Sequence, residues 1–338
     1  MKLLFAGTPD IAVPSLRKVA ARFPVVGVLT APDAVSGRGR KVSPPAVKVA
    51  ADDLGLPVLQ PVRLDEDARA AVRRLEPEML VTFAYGKIFG PKFLGLFEEG
   101  GLNVHPSLLP EYRGPSPIPA VILAGESQTG ITIQYLAAEM DAGAVVAREH
   151  IALTGAETTE SLSALVAEKA ADLLVEALSR IEEGTAEPEP QNEAEATYCK
   201  LIRKEDGEID WAREAVRIER MVRAYTPWPG AYTYWGDRKL TIREAAVYTA
   251  DAVGPTPDRP AADAVSGAAG SYEAGEEALS THEEPGHVLG VDRRWGILIQ
   301  TGSGVLAVQR LQLQAGQTVD WKSFINGHQD FPGTVLGG

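Results

Sequence analysis

Leu3-Leu4-Phe5-Ala6-Gly7-Thr8-Pro9-Asp10 places a short apolar run near the start of the sequence and halts it at once with a glycine and a proline. A secretory leader would need an unbroken apolar stretch of about 7–15 residues, so the run reads as a buried strand. The same design repeats outward from it. Apolar runs at 25–29, 57–59, 79–83 and 102–104 alternate with segments of helical character at 13–21, 46–54 and 65–75, the last stopped by Pro77. Two further strands at 131–137 and 144–153 form an expected antiparallel pair around Asp141-Ala142-Gly143. The fold class that follows is α/β, a Rossmann-like, doubly wound and mostly parallel sheet with helices on both faces.

From 161 to 181 the apolar residues Leu162, Leu165, Val166, Ala170, Leu173, Leu174, Ala177, Leu178 and Ile181 recur at steps of three and four, which predicts one amphipathic helix closing a first domain at 1–183. Residues 184–196, rich in Glu and Pro without apolar periodicity, are expected to be an extended linker. A second domain at 197–338 opens with a helix at 211–225, ended by Pro227 and Pro229. Strands are expected at 231–235, 239–244, 287–291, 296–301 and 305–313, which suggests a small OB-like β-barrel. Residues 249–284 interrupt it with a low-complexity mixture expected to be disordered or loosely held.

With 338 residues the chain can bury two cores, and no stretch approaches the ~20 consecutive apolar residues of a membrane span, so no membrane partner is expected. One cysteine, Cys199, excludes an internal disulfide and a site of several thiolates. No metal is expected, and a reducing cytoplasm is. The net charge of −13 at first argues against nucleic acid. Residues 182–195 carry six acids and no base, and 251–284 carry eight acids against Arg259. These two stretches account for the whole excess and leave the remaining basic residues free to cluster.

Asn103 and His105 stand two apart at the end of an expected strand that Pro106 terminates, so both side chains share one side at the C-terminal edge, where open parallel sheets bind ligands. An Asn amide can donate to an oxyanion, and His can serve as acid, base or second donor. Asp141, beside the turn residue Gly143, can aim a carboxylate at the imidazole and favour its protonated form. Spacing alone leaves open that Asn103 caps a turn, His105 is a satisfied interior group and Asp141 is an ordinary turn residue. Gly7-Thr8-Pro9-Asp10 lacks the spaced glycines of a dinucleotide site, and no Walker-type lysine loop occurs, so use of NAD or ATP is not expected.

The run Asn103-Val104-His105-Pro106-Ser107-Leu108-Leu109-Pro110, then Tyr112-Arg113-Gly114-Pro115, then Met140-Asp141-Ala142-Gly143, resembles the signature of the 10-formyltetrahydrofolate-dependent formyltransferases. The likeness extends over nearly the whole chain to members that formylate a charged tRNA. Phe5-Ala6-Gly7-Thr8-Pro9-Asp10 looks like their first strand and turn, and Ser36-Gly37-Arg38-Gly39-Arg40-Lys41 like their basic loop. Ala196-Thr197-Tyr198, Ile209-Asp210-Trp211 and Pro227-Trp228-Pro229-Gly230 resemble stretches of their second domain. The insertion between Thr249 and Glu284 departs from the pattern.

This resemblance implies a catalytic domain at 1–183 with Asn103, His105 and Asp141 as catalytic residues, and Ser107, Leu108, Leu109 and Pro110 as contacts to folate. It implies 10-formyltetrahydrofolate as formyl donor, initiator methionyl-tRNA as acceptor, and a tRNA-binding β-barrel at 197–338. Asn103 and protonated His105 would meet charge on the formyl oxygen, while Asp141 holds the imidazole and accepts the amine proton. A monomer suits so bulky a ligand. Formyl transfer to a nucleotide precursor or a sugar amine would use the same trio and ranks second, whereas a non-enzymatic RNA-binding protein leaves the trio without a joint purpose. Arg38, Arg40 and Lys41 are expected at the acceptor stem. Arg213, Arg217 and Arg220 form one helical stripe suited either to tRNA or to pairing with Glu214 and Glu219. Trp228, beside two prolines, is suited either to stacking on a base or to the core, and the core is the preferred expectation.

Overall fold

A computed structural model of the chain describes residues 1–36, 41–250 and 283–337, apart from the side chains of Ser36 and Lys41. It divides into two compact units. Unit 1 comprises Met1–Pro117, Gln128–Ala152 and Ser161–Lys200; unit 2 comprises Ile118–Ser127, Leu153–Glu160 and Leu201–Gly338.

Unit 1 contains β1 (Leu3–Gly7), α1 (Val13–Arg22), β2 (Val25–Leu29), a hairpin of β3 (Ala34–Ser36) and β4 (Lys41–Ser43), α2 (Ala46–Asp53), β5 (Val58–Leu59), α3 (Glu66–Arg73), β6 (Met79–Phe83), α4 (Pro91–Leu94) and β7 (Gly101–His105). After α5 (Pro117–Ala124), which groups with unit 2, come β8 (Gln128–Tyr135), β9 (Val145–Ala152) and α6 (Thr159–Glu182). The main sheet runs β5-β2-β1-β6-β7-β8-β9, with β7–β8 and β8–β9 antiparallel and the rest parallel. Every residue of β1 is buried, so neither face of that strand meets water. Leu4 and Ala6 share a core with Leu29, Leu80, Val72 and Phe93, while Leu3 and Phe5, of opposite parity, are equally buried. The doubly wound, parallel-dominated sheet expected from the alternating runs is thus the observed one. At the start of α3, Asp65 accepts from Ala68 N at 3.2 Å, and Glu66 and Asp67 fill the first turn, as the positive end of a helix favours.

The chain leaves β1 toward β2 and β5 on one side and returns to β6 and β7 on the other. This reversal is a topological switch point, the place beyond the C-terminal strand ends where open α/β sheets bind their ligands. Thr8 Oγ1 donates to Tyr85 O across it at 3.0 Å. Residues 184–196, expected as an extended linker, make specific contacts with the sheet edge. Glu189 and Val145 exchange both backbone hydrogen bonds, at 2.7 and 2.8 Å, and Asn192 caps a 3₁₀ turn at Glu193–Glu195. Polar backbone on a sheet edge finds partners more readily in a neighbouring chain segment than Glu and Pro composition alone suggests.

Unit 2 contains α7 (Ala215–Ala224), β10 (Ala231–Trp235), β11 (Arg238–Val247), β12 (Val288–Asp292), β13 (Gly296–Gln300), β14 (Val305–Leu313), β15 (Thr318–Asp320) and α8 (Trp321–Gly327). The antiparallel order is β10-β11-β14-β13-β12, with β15 on β14. Residues 333–337 lace the two edges together: Val288 N donates to Thr334 O at 2.8 Å and Gly337 N to Tyr234 O at 3.1 Å. That is the closure a small barrel requires. The first helix begins at Ala215 rather than 211, because Trp211 is buried with its Nε1 on Thr233 Oγ1 at 3.0 Å and belongs to the sheet core. α5 and α8 escaped the periodicity reading, the first because Pro117 and Pro119 fall in its opening turn, where proline is tolerated, the second because it is short. Among the described residues no helix is long and apolar enough to cross a membrane. Of the expected low-complexity insertion at 249–284, residues 251–282 lie outside the described residues.

Candidate active site

Asn103 and His105 lie on one side of β7, opposite Gln134 and Thr132 of β8. The turn between β8 and β9 swings Asp141 onto that side. Its φ of +54° is a conformation that a non-glycine residue holds only when its surroundings impose it. Gly143 makes the turn possible, since an added Cβ would run into Tyr135 O, and its N–H donates to Gln134 Oε1 at 3.2 Å. Asp141 Oδ1 accepts from Asn103 Nδ2 at 3.3 Å and Gln134 Nε2 at 3.0 Å. Its Oδ2 accepts from Gly114 N at 2.8 Å and lies 3.7 Å from His105 Nδ1. The structure therefore brings together all three residues singled out from spacing, with one carboxylate oxygen facing each of the other two.

The charge on His105 differs from expectation. The residue is 4% exposed, and burial pushes its pKa below the ordinary imidazole value; the nearby Asp141 charge and the bond to Tyr112 O oppose that shift without reversing it. A carboxylate at 3.7 Å without a direct hydrogen bond does not replace the lost hydration of an imidazolium. Neutral His105 carries its proton on Nε2, because Tyr112 O, 2.9 Å away, can only accept. Nδ1 is left with a free lone pair on the side of Asp141.

Ser107 and Leu109 are buried, and Leu108 and Pro110 are half-buried. The polar atoms of this loop are largely committed within the protein. Thr132 Oγ1 donates to Ser107 O at 2.7 Å and accepts from Leu109 N at 3.1 Å, and Thr197 N donates to Pro110 O at 3.3 Å. The loop after β6 is different in kind. Ala84 and Gly86 have φ of +51° and +85°, and Ile88 beyond them is 80% exposed. Among the described residues the buried Tyr85 hydroxyl has no hydrogen-bond partner, and burial pushes its pKa up to about 12.

The basic loop falls outside the described residues at Arg38 and Arg40, and so does the Lys41 side chain. α7 begins at Ala215, so of the expected stripe only Arg217, which is exposed, and Arg220, which donates to Ala124 O at 2.9 Å, lie on the helix; Arg213 precedes it and pairs with Asp210 at 3.1 Å. Glu219, an expected partner of that stripe, holds Arg223 instead at 2.6 Å. Trp228, expected in the core, is 58% exposed, because the prolines on either side keep it on the turn that follows α7. The sequence reading missed Gln134 and Gln191. Gln134 shares a strand face with Thr132, which alternation of the strand could have indicated, whereas Gln191 lay in a stretch with no periodic signal.

A formyl transferase domain model matches residues 4–178, and the formyl transferase C-terminal domain matches 201–329. Methionyl-tRNA formyltransferase of Treponema denticola is 44% identical over 339 residues, covering 98% of each chain. Among solved structures, methionyl-tRNA formyltransferase from Clostridium thermocellum aligns with a TM-score of 0.52 at 17% identity, over 73% of this chain and 94% of that one. HypX from Aquifex aeolicus in complex with tetrahydrofolic acid aligns with a TM-score of 0.60 at 16% identity, over 98% of this chain and 48% of that one. These two structural likenesses speak to the fold alone. From the matched domains and the full-length identity, the chain belongs to the methionyl-tRNA formyltransferase family.

Proposed function

We propose that this protein transfers the formyl group of 10-formyltetrahydrofolate to the amino group of methionine on initiator tRNA, for translation initiation. Residues 1–183 carry the chemistry, residues 184–196 connect, and residues 197–338 bind the tRNA. The protein acts as a monomer in the cytoplasm, in keeping with its single cysteine. The observation that carries this reading is the Asp141 carboxylate set between Asn103 and His105 at the end of β7.

The folate supplies a formyl carbon activated for attack by an amine. Exposed Ile88 after β6 and half-exposed Leu108 and Pro110 after β7 offer apolar surface on loops that leave neighbouring strands, which suits a heterocycle with polar edges. Ser107 and Leu109 act by fixing that loop. One N–H of Asn103 is engaged by Asp141; the other is placed to meet negative charge on the formyl oxygen. His105 Nδ1 accepts the proton that the attacking amine sheds, and Asp141 beside it stabilises the imidazolium so formed. The same nitrogen then returns the proton to the departing folate nitrogen, so His105 ends neutral as it began. This order replaces a resting imidazolium with a base that becomes the acid.

The test is incubation of purified protein with 10-formyltetrahydrofolate and methionyl initiator tRNA, scored by formylmethionine released from the tRNA. Transfer that depends on the charged tRNA is the expected result. Formylation of a sugar amine or a nucleotide precursor, with charged tRNA left untouched, would overturn the substrate assignment.

A further inference from the structure

Gln191 comes from the stretch expected to be a mere linker, yet its side-chain amide is fully engaged. Nε2 donates to Asp141 O and Gly143 O, both at 2.8 Å, and lies 3.2 Å from Gln134 Oε1. On the other side, Oε1 accepts from Arg113 Nε and Nη2 at 3.1 and 2.8 Å. A guanidinium can only donate and a backbone carbonyl can only accept, so the amide has a single workable orientation. Arg113 is itself completely buried and is held by both carboxylate oxygens of Glu193, at 2.8 and 2.7 Å.

We propose that Gln191 is a positioning residue for formyl transfer, pinning the carbonyls on either side of Ala142 so that Asp141 keeps the left-handed conformation that aims its carboxylate at His105. The inference rests on the role given to Asp141 above. Gly114 N and Gln134 bind the carboxylate directly, whereas Gln191 grips only the backbone of the turn. Its contribution is therefore to the direction of Asp141, not to its charge. Arg113 fixes the grip, and it follows directly on Tyr112, whose carbonyl holds His105 Nε2. Both ends of the His105–Asp141 pair thus depend on the pairing of 112–114 with 191–199, in which Arg113 N donates to Thr197 O at 2.9 Å and Cys199 N to Arg113 O at 2.8 Å.

The experiment measures initial rates on the full chain, varying 10-formyltetrahydrofolate and methionyl initiator tRNA, for Gln191→Ala, Gln191→Glu, Asp141→Ala and the double variant Asp141→Ala/Gln191→Ala. Gln191→Glu keeps the length of the side chain and the acceptor for Arg113 but has no N–H for the two carbonyls. Both Gln191 variants are expected to lower kcat ~10- to 100-fold, the scale of a small misplacement of a reacting group. Both KM values should stay within about threefold, the sign of an interaction that acts only in the transition state. On the Asp141→Ala background, Gln191→Ala should cost no further residual rate. Near-normal kcat in Gln191→Glu, a loss expressed in KM, an undiminished loss on the Asp141→Ala background, or unfolding of both Gln191 variants would each overturn the inference. Near-normal turnover of Asp141→Ala alone would instead sink the reading of the site beneath it.

Discussion

The loops that follow β6 and β7 leave neighbouring strands at the same edge of one sheet, and they are built on opposite plans. After β7, nearly every polar group between Ser107 and Gly114 has a partner inside the protein, and Tyr112 and Gly114, both at positive φ, turn a carbonyl toward His105 and an N–H toward Asp141. After β6, Lys87 Nζ ties the loop to Pro61 O and Val62 O at 2.6 and 2.9 Å, but Ile88 stands out in solvent. One loop spends its hydrogen-bonding capacity on holding charges still. The other keeps apolar surface free for something to cover it. On the function proposed above, rigidity and recognition fall to different chain segments a single strand apart.

Substitutions in the two loops, and in the strand between them, should separate these tasks. The largest effect is expected at Asn103→Ala, with kcat lowered about 10² to 10³-fold, as for loss of one oxyanion donor, and the thermal midpoint little changed. Single-turnover rates would check it, and a normal rate would remove Asn103 from the chemistry. Next comes Gly114→Ala. With φ at +114° and an added Cβ directed into Cys199 O, it should cost roughly 2–4 kcal/mol in denaturant unfolding, and turnover with it. Gly86→Ala, at φ +85° with no atom near the new Cβ, should cost only about 1–2 kcal/mol; equal losses at the two glycines would erase the contrast.

Ile88→Asp is expected to raise KM for the folate about tenfold with kcat unchanged, the value of roughly 1.4 kcal/mol of lost apolar burial. A fall in kcat at constant KM would place Ile88 with the rigid machinery instead. The smallest effect concerns pH. His105 titrates lower in the folded protein than in the unfolded chain, so between the two values the folded state binds fewer protons. Its contribution to stability is complete above the unfolded value of ~6.5 and drains away as pH falls from there through the folded value. His105→Gln should therefore flatten the decline in thermal midpoint between pH 7.5 and 5.5, and an unchanged slope would show that His105 does not resist protonation.

Strands such as β1, β2 and β6 were legible because they are apolar runs punctuated by Gly or Pro. The shared side of Asn103 and His105 followed from the strand period alone. The approach of Asp141 was legible only as a possibility of its turn; what holds it there, Gln191 and Gly114 N, comes from distant chain segments that periodicity does not connect. The downward pull of burial on the His105 pKa was not legible, because spacing does not show how much water the fold removes. Trp228 was misjudged because aromatic character favours burial on average and says nothing of a turn bounded by prolines.

The lacing of β10 and β12 by residues 333–337 bears on how the chain is born. Unit 1 has its last strand by Ala152 and its last segment by Lys200, so it can consolidate while the ribosome is still adding the sheet of the other unit. Unit 2 has no such early finish: two of its pieces emerge near residues 118 and 153, and its edges are joined only after residue 333 has cleared the exit tunnel. Of the two halves, it is the one that waits longest half-made and has the greater need of protection from premature contacts during synthesis.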